Sequence, residues 1–254
     1  MVDEAMTCAD VTQDFWQAGN ISLRQLRHGQ RAGTDAALLA AAFVRLEGRL
    51  ADVGAGSGAV GLALAQRHPN VQVDLIDINP DLVALAAKNC AENHLATRVA
   101  ARCHNVLADA DMRPLHGHFD AVVSNPPFYQ PERARLPRDQ ARAQAHVLHG
   151  GSLEDWVRVC RKLLKPKGVL VMIHRPEALA AILAGLGQGG AGLRLMPLQP
   201  RHEAPASRII VRWSQGSRAP LCLLAPLILH QTSGAFTPEA EALHRGEATL
   251  AIAP

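Results

Sequence analysis

The chain has 254 residues, of which 48% are hydrophobic and 19% charged, and its formal net charge at pH 7 is +3. This composition is typical of a globular protein with a substantial core, and the weak positive charge permits a polyanionic partner without requiring one. The five cysteines are odd in number and scattered, without a Cys-x-x-Cys pair, which argues against a disulfide framework and a structural zinc site.

The predicted elements alternate between strands and helices along the chain. Short apolar or alternating runs predict strands at residues 21–26, 49–53, 71–76, 99–104, 119–124, 169–173, 193–198 and 208–213. Helical patterns, with caps at Asp35 and Ser152, predict helices at residues 35–46, 59–67, 82–93, 152–164 and 176–186. Because the last two strands follow one another without a helix, we expect an α/β fold with a mostly parallel sheet and one antiparallel edge.

No segment of the sequence predicts insertion into a membrane. No uncharged apolar run reaches the roughly 18 residues that a membrane helix needs. Residues 1–10 carry acidic side chains and no apolar stretch, unlike a signal peptide. We therefore expect a cytoplasmic protein with a single domain over residues 1–254, divided into an N-terminal extension (1–48), a core (49–214) and a C-terminal extension (215–254).

Residues 50–61, LADVGAGSGAVG, form an apolar strand that leads into a glycine-rich turn and then a helix. Glycines let a ligand approach the backbone, and the start of a helix presents free N–H groups. The spacing Gly56-x-Gly58-x-x-Gly61 also satisfies the dinucleotide fingerprint, with Asp77 about where its ribose-binding acid belongs. The loop predicts a nucleoside ligand and, taken alone, leaves a dinucleotide and S-adenosylmethionine both open.

Two aspartates favour S-adenosylmethionine over a dinucleotide. Asp52 lies in the strand just before the glycines, where it would repel a pyrophosphate and attract a sulfonium or ammonium cation. Asp77, at the end of the next strand, can accept hydrogen bonds from both ribose hydroxyls of either ligand. The pair therefore indicates S-adenosylmethionine, with S-adenosylhomocysteine as its product.

Residues 121–129, AVVSNPPFY, carry the most informative motif of the chain. An apolar strand ends in Asn125, and Pro126 and Pro127 then restrict the backbone. This rigidity suits a site where the Asn125 side-chain carbonyl and the Pro126 backbone carbonyl accept hydrogen bonds from one NH₂ group. Phe128 or Tyr129 would supply a flat face on which the ring that carries this group can stack.

The proposed chemistry explains this choice of groups. An amino group conjugated to a ring is a poor nucleophile because its lone pair is delocalised. Two acceptors on its hydrogens draw the nitrogen towards tetrahedral geometry and expose the lone pair, so no strong base is needed beforehand. The remaining requirement is alignment, which is a positioning effect. We therefore expect Asn125, Pro126, Pro127 and Phe128 to form the catalytic motif of an N-methyltransferase.

Together, DVGAGSG, the acid Asp77 and NPPF resemble the Rossmann-like amino-group methyltransferases. Residues 26–40, LRHGQRAGTDAALLA, are similar to the N-terminal cofactor segment of the bacterial tRNA(Val) adenine-N6 methyltransferase family, and the likeness extends to residues 152–156, 165–168 and 216–220. The resemblance implies a Rossmann-like fold with a seven-stranded sheet, S-adenosylmethionine as cofactor without a metal, and RNA, specifically tRNA, as the partner.

The cofactor-binding residues that the resemblance implies are Arg31, Gly33, Thr34, Asp35, Asp52, Gly54, Gly56, Asp77, Ile78, Asn105 and Val106. The first four would close over the methionine end, the next three would line the amino-acid portion, Asp77 would hold the ribose, and Asn105 with Val106 would hold the adenine. Asn105 stands where the family more often has Asp, and Gln30 where it often has an aromatic residue. An amide still hydrogen-bonds an adenine amino group, so we expect the cofactor affinity to fall only modestly.

The substrate-binding candidates follow the NPPF motif. Tyr129, Arg133 and Arg135 are placed to contact the acceptor, and further arginines at positions 138 and 142 suggest contacts with RNA phosphates. A solvated charged segment is the alternative interpretation of this arginine cluster.

Several alternative functions remain open from the sequence. The Asn-Pro-Pro-aromatic motif also occurs in protein glutamine-N5 methyltransferases, although only about fifty residues precede Asp52, too few for their usual helical N-terminal domain. Guanine-N2 methylation of ribosomal RNA is compatible with the same motif. A nicotinamide-dependent oxidoreductase would leave the motif without a role, and a catalytically silent RNA-binding protein would leave Asn125 without one.

Overall fold

The structure is a computed structural model that describes residues 11–17, 19–27, 31–127, 151–187 and 191–252. Within these ranges the strands form a two-stranded antiparallel sheet, β1 with β2, and a nine-stranded sheet. The strands are β1 (Val11–Trp16), β2 (Ile21–Leu26), β3 (Gly48–Val53), β4 (Val71–Asp77), β5 (Val99–Cys103), β6 (Phe119–Ser124), β7 (Leu164–His174), β8 (Leu193–Gln199), β9 (Arg208–Ser214), β10 (Cys222–Leu223) and β11 (Leu227–Ile228).

The helices are short to medium in length. The α-helices are α1 (Thr34–Ala40), α2 (Ala59–Arg67), α3 (Pro80–Glu92), α4 (Asp109–Met112), α5 (Leu153–Leu163), α6 (Leu179–Leu186) and α7 (Pro238–His244). One 3₁₀ turn, Arg113–Leu115, follows α4, and another, Pro176–Ala178, precedes α6. Within the described residues, no helix combines the length and the apolar character that crossing a membrane would require.

The strand order of the large sheet is β10-β8-β9-β7-β6-β3-β4-β5, and β11 also pairs with β8. Strands β7, β6, β3, β4 and β5 run parallel to one another, whereas β9 is antiparallel to both β7 and β8. The expected α/β fold with a mostly parallel sheet is therefore confirmed. The antiparallel strand β9 is not the outermost strand, because β8 and the two-residue strands β10 and β11 extend the sheet beyond it.

The parallel strands bring the chemical motifs to one edge of the sheet. Strands β3, β4, β5 and β6 all end there, so the glycine loop and the Asn-Pro-Pro motif follow neighbouring strands. The chain moves outwards from β3 through β4 to β5 and then returns to the other side of β3 as β6. Ligands of open α/β sheets bind at such a reversal of strand order, beyond the carboxyl ends of the strands.

Hydrophobic residues cover both faces of the large sheet. One hydrophobic cluster covers what we call the first face of the sheet. It packs residues of β2, α1, α2 and α7 against the strands and includes Leu39, Leu62 and Leu243. The other cluster, the second face, packs residues of α5 and α6 against it and includes Val157 and Ile182. The result is a sheet that is buried on both sides, as parallel sheets generally are.

Helix α1 is shorter than the predicted helix 35–46. It ends at Ala40, and the carbonyl oxygen of Ala41 accepts a hydrogen bond of 2.8 Å from the backbone N–H of Leu250. The apolar run continues beyond Ala40 because its residues are buried in the first face and not because the helix continues. The predicted N-cap was also wrong: Gly33 occupies that position, and Asp35 lies in the first turn.

The predicted cap at Ser152 is confirmed. Ser152 caps α5 in a capping box with Asp155, whose backbone N–H donates to Ser152 Oγ at 3.1 Å. Asn79 caps α3, and its Oδ1 accepts from the backbone N–H of Asp81 at 2.9 Å. Residues 165–168, one of the segments that carry the family likeness, lie within β7 at an irregularity of its pairing with β6, where Lys167 adopts a left-handed φ of +68°.

Candidate active site

The glycine-rich loop connects the end of β3 to α2. Gly54, Gly56 and Gly58 have φ angles of +77°, +57° and +89°, a left-handed backbone that favours glycine. The backbone N–H of Gly54 donates to the carbonyl oxygen of Ile76 at 2.8 Å, which attaches the loop to β4. No described atom lies within 4 Å of the position that a Cβ of Gly56 would take, so the space beside this residue is open to a ligand.

Asp52 lies in β3, just before the loop, with only 2% of its surface exposed. Its Oδ2 accepts a hydrogen bond of 2.9 Å from the backbone N–H of Gly61, in the first turn of α2. Burial raises the pKa of the Asp52 carboxyl to about 7; the Gly61 N–H opposes this rise and the negative charge of Asp77 adds to it. A cation bound nearby would favour the ionised carboxylate, so its protonation is coupled to the charge of the ligand.

Asp77 ends β4 and connects two backbone segments. Its Oδ2 accepts from the backbone N–H of Gly56 at 2.8 Å, and its Oδ1 accepts from that of Asn79 at 2.9 Å. Each carboxylate oxygen has a further lone pair with which it can accept from a hydroxyl. Ile78 follows in the turn towards α3, and its carbonyl oxygen lies 3.6 Å from the Cys103 thiol.

Asn105 and Val106 follow β5 at the same sheet edge. Val106 is buried in the second face, whereas Asn105 is half-buried. The Asn105 backbone N–H donates to Asp111 Oδ2 at 2.8 Å, and its side-chain Oδ1 accepts from the Leu107 backbone N–H at 3.0 Å. A carbonyl oxygen accepts two hydrogen bonds, so the described residues leave one acceptor position of Asn105 Oδ1 for an amino group.

Ser124, the last residue of β6, links the two motif-bearing strands. Its hydroxyl is fully buried, donates to the carbonyl oxygen of Val53 at 2.7 Å and accepts from Trp156 Nε1 at 3.0 Å. Because Val53 ends β3, this hydroxyl fixes the start of the Asn-Pro-Pro motif relative to the start of the glycine loop. The indole of Trp156 also packs against Gly54, where a Cβ would lie 3.1 Å from the ring.

Asn125 follows directly and carries a polar atom without a partner. Its Oδ1 is buried and accepts no hydrogen bond from any described residue. A buried acceptor left unpaired costs about 1–3 kcal/mol. Pro126 is buried and Pro127 half-buried, and their rings restrict the backbone on the far side of the amide. The arrangement leaves an acceptor that a donor from a ligand could satisfy.

The segment before α1 is fixed from two sides. Arg31 Nη2 pairs with Asp14 Oδ2 on β1 at 2.6 Å, and Arg31 Nη1 donates to Thr12 Oγ1 at 2.7 Å. Gly33 then caps α1 with an extended backbone. Arg31 is therefore already engaged with the N-terminal hairpin.

The first turn of α1 contacts the C-terminal part of the chain. Thr34 Oγ1 lies 3.1 Å from Nε2 of His244 in α7. Asp35 Oδ2 pairs with Nε of Arg208 in β9 at 3.0 Å. Both residues are thus held by elements distant in sequence, which the pattern of the segment itself does not reveal.

Seven of the positions singled out in the sequence lie outside the described residues. They are Gln30, Phe128, Tyr129, Arg133 and Arg135, together with the arginines at positions 138 and 142. Among the residues that the structure describes, no group of three His, Cys, Asp or Glu side chains could hold a metal ion.

A family model described as the methyltransferase small domain matches residues 30–180 of this sequence. This range contains the glycine loop, both aspartates and the Asn-Pro-Pro motif. The chain belongs to the methyltransferase small domain family. As a member of this family it is a methyltransferase, and the site at the carboxyl ends of β3, β4, β5 and β6 is its candidate active site.

Curated relatives of this methyltransferase carry one functional name. A protein of Yersinia pseudotuberculosis serotype O:3 (strain YPIII) is 30% identical over 236 residues, which cover 89% of this chain and 91% of the relative. A protein of Porphyromonas gingivalis (strain ATCC BAA-308 / W83) is 28% identical over 245 residues, with the same coverage of 89% and 91%. Both are named tRNA1(Val) (adenine(37)-N6)-methyltransferase.

A solved structure shares the fold of this methyltransferase. It is the crystal structure of an Agrobacterium tumefaciens protein described as a predicted O-methyltransferase, with a TM-score of 0.70 and 31% identity. The match covers 85% of this chain and 98% of that one. The expected Rossmann-like methyltransferase fold is confirmed by this likeness together with the observed sheet.

Sequence reasoning missed three residues of this methyltransferase that support the site. Ser124 and Trp156 connect the two motif-bearing strands, and His244 contacts the first turn of α1. A serine directly before the Asn-Pro-Pro motif and a tryptophan in the first turn of a capped helix were visible signals for the first two. Nothing in the local sequence of the C-terminal extension indicates the third.

Proposed function

We propose that this methyltransferase uses S-adenosylmethionine to methylate N6 of an adenine in tRNA. The observation that carries the proposal is the buried, unpaired Oδ1 of Asn125, fixed through Ser124 beside the glycine loop. The names of the relatives from Yersinia and Porphyromonas support tRNA adenine as the acceptor. A tRNA substrate also supports the cytoplasm as the location of the protein.

The residues of the candidate site fit S-adenosylmethionine. The open space beside Gly56 accommodates a ligand against the backbone. Asp77 has acceptor capacity for ribose hydroxyls, and one acceptor position of Asn105 suits the adenine amino group. Asp52 is a buried acid whose pKa is raised to about 7. A sulfonium or an ammonium group would compensate the negative charge of its ionised form, whereas a pyrophosphate would not.

The acceptor atoms favour an amino group over a hydroxyl as the methylated group. A hydroxyl has one hydrogen, whereas an NH₂ group has two and can donate to Asn125 Oδ1 and to the Pro126 carbonyl oxygen at once. The likeness to a protein described as an O-methyltransferase lies in the fold. The function therefore follows from the site residues and not from the fold alone.

When bound, the cofactor supplies a methyl group on a positively charged sulfur. Asn125 and Pro126 orient the amino group of the substrate and turn its lone pair out of the ring plane. Phe128 and Tyr129, which lie outside the described residues, would stack on the base. No residue has to remove a proton before transfer, because the methylated nitrogen becomes acidic and releases its proton afterwards. Catalysis thus consists chiefly of positioning.

The test is transfer of labelled methyl groups from the cofactor to fractionated cellular RNA and protein, followed by nucleoside and amino-acid analysis. We expect the label in the tRNA fraction as N6-methyladenosine. Label in N2-methylguanosine or in protein glutamine would contradict the adenine assignment and identify one of the alternative acceptors. Titration calorimetry with S-adenosylhomocysteine separately tests the cofactor, and an absence of binding heat would refute the whole proposal.

A further inference from the structure

Two arginines face each other across the antiparallel part of the sheet. Arg194 in β8 pairs in register with Arg212 in β9. Side chains directly opposite on neighbouring strands are about 4.5–5.5 Å apart at Cβ, and like charges in this position are destabilising. No ion pair joins either guanidinium to a carboxylate of the described residues. Two positive charges therefore lie side by side, and the part of the chain that the structure describes supplies no paired counter-charge.

The two guanidiniums are partly withdrawn from water. Both residues are half-buried, and burial together with the adjacent Arg194 lowers the pKa of Arg212 from its ordinary value. The Nε atom of Arg194 is buried without an acceptor among the described residues. Its two terminal nitrogens are not among the buried unpaired atoms and have no partner among the described residues, so within this part of the chain they reach the surface.

A hydroxyl completes the cluster. Arg212 Nη1 donates to Ser214 Oγ at 3.2 Å. Because this oxygen accepts from the guanidinium, its own hydrogen remains available to a further acceptor. Two guanidinium forks and one hydroxyl therefore present donors at one place, and a phosphate group matches the geometry and charge of such donors.

The cluster lies within three strands of the Asn-Pro-Pro motif and extends from there towards the start of β7, because Ser214 is in register with Val169. Arg212 is in register with Val171 of β7, which is in register with Val123 of β6, two residues before Asn125. Neighbouring strands are about 4.8 Å apart, so Arg212 lies two strands, roughly 10 Å, from β6, and Arg194 one strand further. A few nucleotides of an RNA chain span this distance.

We propose that Arg194, Arg212 and Ser214 form a phosphate-binding site that holds the RNA backbone a few nucleotides from the methylated base. This inference rests on the proposed RNA acceptor. The site positions the RNA without reading its sequence, as phosphate contacts do. Binding a phosphate there also compensates the charge of the two guanidiniums, which form no ion pair with any described residue.

The experiment measures the affinity for methyl-accepting tRNA as a function of salt in wild type, R194Q, R212Q and the control R45Q. Arg45 has a side chain that is 90% exposed and loses the same charge on substitution. We expect R194Q and R212Q each to weaken tRNA binding about 5- to 30-fold and to reduce the salt slope by about one, with R45Q close to wild type. Affinity for S-adenosylhomocysteine should be unchanged in all of them. R194Q and R212Q variants that bind tRNA like R45Q would overturn the proposal.

A second measurement separates this site from the proposed function. Inorganic phosphate alone should raise the melting temperature of wild type and R45Q more than that of the double variant R194Q/R212Q. If wild type methylates no RNA, the proposed acceptor fails, and a phosphate response that disappears in the double variant still supports the oxyanion site. An equal response in all three proteins would overturn it. Stability of the double variant at least equal to wild type, expected from the lost repulsion, shows that the substitutions preserve the fold.

Discussion

Thr34 and His244 are joined by a hydrogen bond of 3.1 Å between Oγ1 and Nε2, although 210 positions separate them in the chain. The other ring nitrogen, Nδ1, lies 2.7 Å from the carbonyl oxygen of Ala240. A carbonyl oxygen only accepts, so Nδ1 carries the hydrogen of the neutral imidazole. Nε2 therefore accepts, and the Thr34 hydroxyl donates. The C-terminal helix α7 thereby orients the first turn of α1, in the segment that we expect to close over the methionine end of the cofactor.

We predict that H244F raises the KM for S-adenosylmethionine about fivefold and leaves kcat within about twofold. The lost hydrogen bond is worth roughly 1 kcal/mol, and the phenyl ring keeps the packing against Phe236, whose centroid lies 4.2 Å from that of His244. T34V should have the same effect, and the double variant should add little, because both remove one interaction. Initial-rate kinetics at saturating RNA measure this. H230F is the control, since His230 also stacks on Phe236, with ring centroids 4.7 Å apart. Additive effects in the double variant would show that the two residues act separately.

Asp52 predicts a specific pH dependence of stability. Its pKa is raised from 3.8 to about 7 in the folded protein, chiefly by burial. The folded state thus holds this proton more tightly than the unfolded state. As pH rises from about 4, Asp52 therefore lowers the free energy of unfolding, and this loss is complete above about pH 7. D52N should match wild type near pH 4 and exceed its free energy of unfolding by at most about 4 kcal/mol at pH 8. Urea denaturation at several pH values measures the difference, and a pH-independent difference would contradict the assignment.

The same carboxyl should couple cofactor binding to pH. Because a cationic ligand stabilises ionised Asp52, its binding near pH 7 releases a proton, and affinity should rise between pH 6 and pH 8 more steeply in wild type than in D52N. The amino group of the ligand titrates identically with both proteins. The difference in pH dependence between wild type and D52N therefore comes from Asp52. Calorimetry in two buffers of different ionisation enthalpy counts the protons released.

The glycine loop could be predicted from the sequence because its requirement is local. Left-handed φ angles at Gly54, Gly56 and Gly58 demand glycine whatever the surroundings, so the requirement is visible as a motif. The Asn-Pro-Pro motif is visible for the same reason, since proline rings restrict the backbone wherever they occur.

The end of α1 and the last strands could not be predicted because partners distant in sequence define them. The helix stops where Ala41 accepts a hydrogen bond from Leu250, and the local apolar run contains no sign of this. Strands β10 and β11 have two residues each and exist only through their pairing with β8. Asp35 was predicted to cap the helix because the local sequence gives no indication of Arg208, its ion-pair partner.

Substitutions at Gly61 and Gly56 should separate stability from cofactor binding. A Cβ at Gly61 would lie 2.2 Å from Leu75 Cδ2 and 3.0 Å from Val73 Cγ1, so G61A should lower the free energy of unfolding by about 1–3 kcal/mol through overpacking.

A Cβ at Gly56 meets no described atom within 4 Å, and its left-handed backbone costs about 1–2 kcal/mol with alanine. The methyl group would instead occupy the open space beside the loop. We expect G56A to weaken S-adenosylhomocysteine at least about tenfold, because the ligand then loses its close approach to the backbone. Calorimetry and urea denaturation of both variants test this, and wild-type affinity in G56A would mean that the cofactor binds elsewhere.

Asn125 offers the most direct test of the catalytic argument. N125A should bind S-adenosylhomocysteine within about twofold of wild type and lower kcat by roughly 10²–10³, the loss seen when one positioned hydrogen-bonding group is removed from an active site. The variant should also be at least as stable as wild type, because it removes a buried carbonyl that has no partner among the described residues. Lost activity in a fully folded, cofactor-binding protein then cannot be ascribed to unfolding. N125D keeps an acceptor oxygen at this position and should retain more activity than N125A. If N125A instead methylates at most of the wild-type rate, the amide does not orient the amino group, and the acceptor must be activated by other residues.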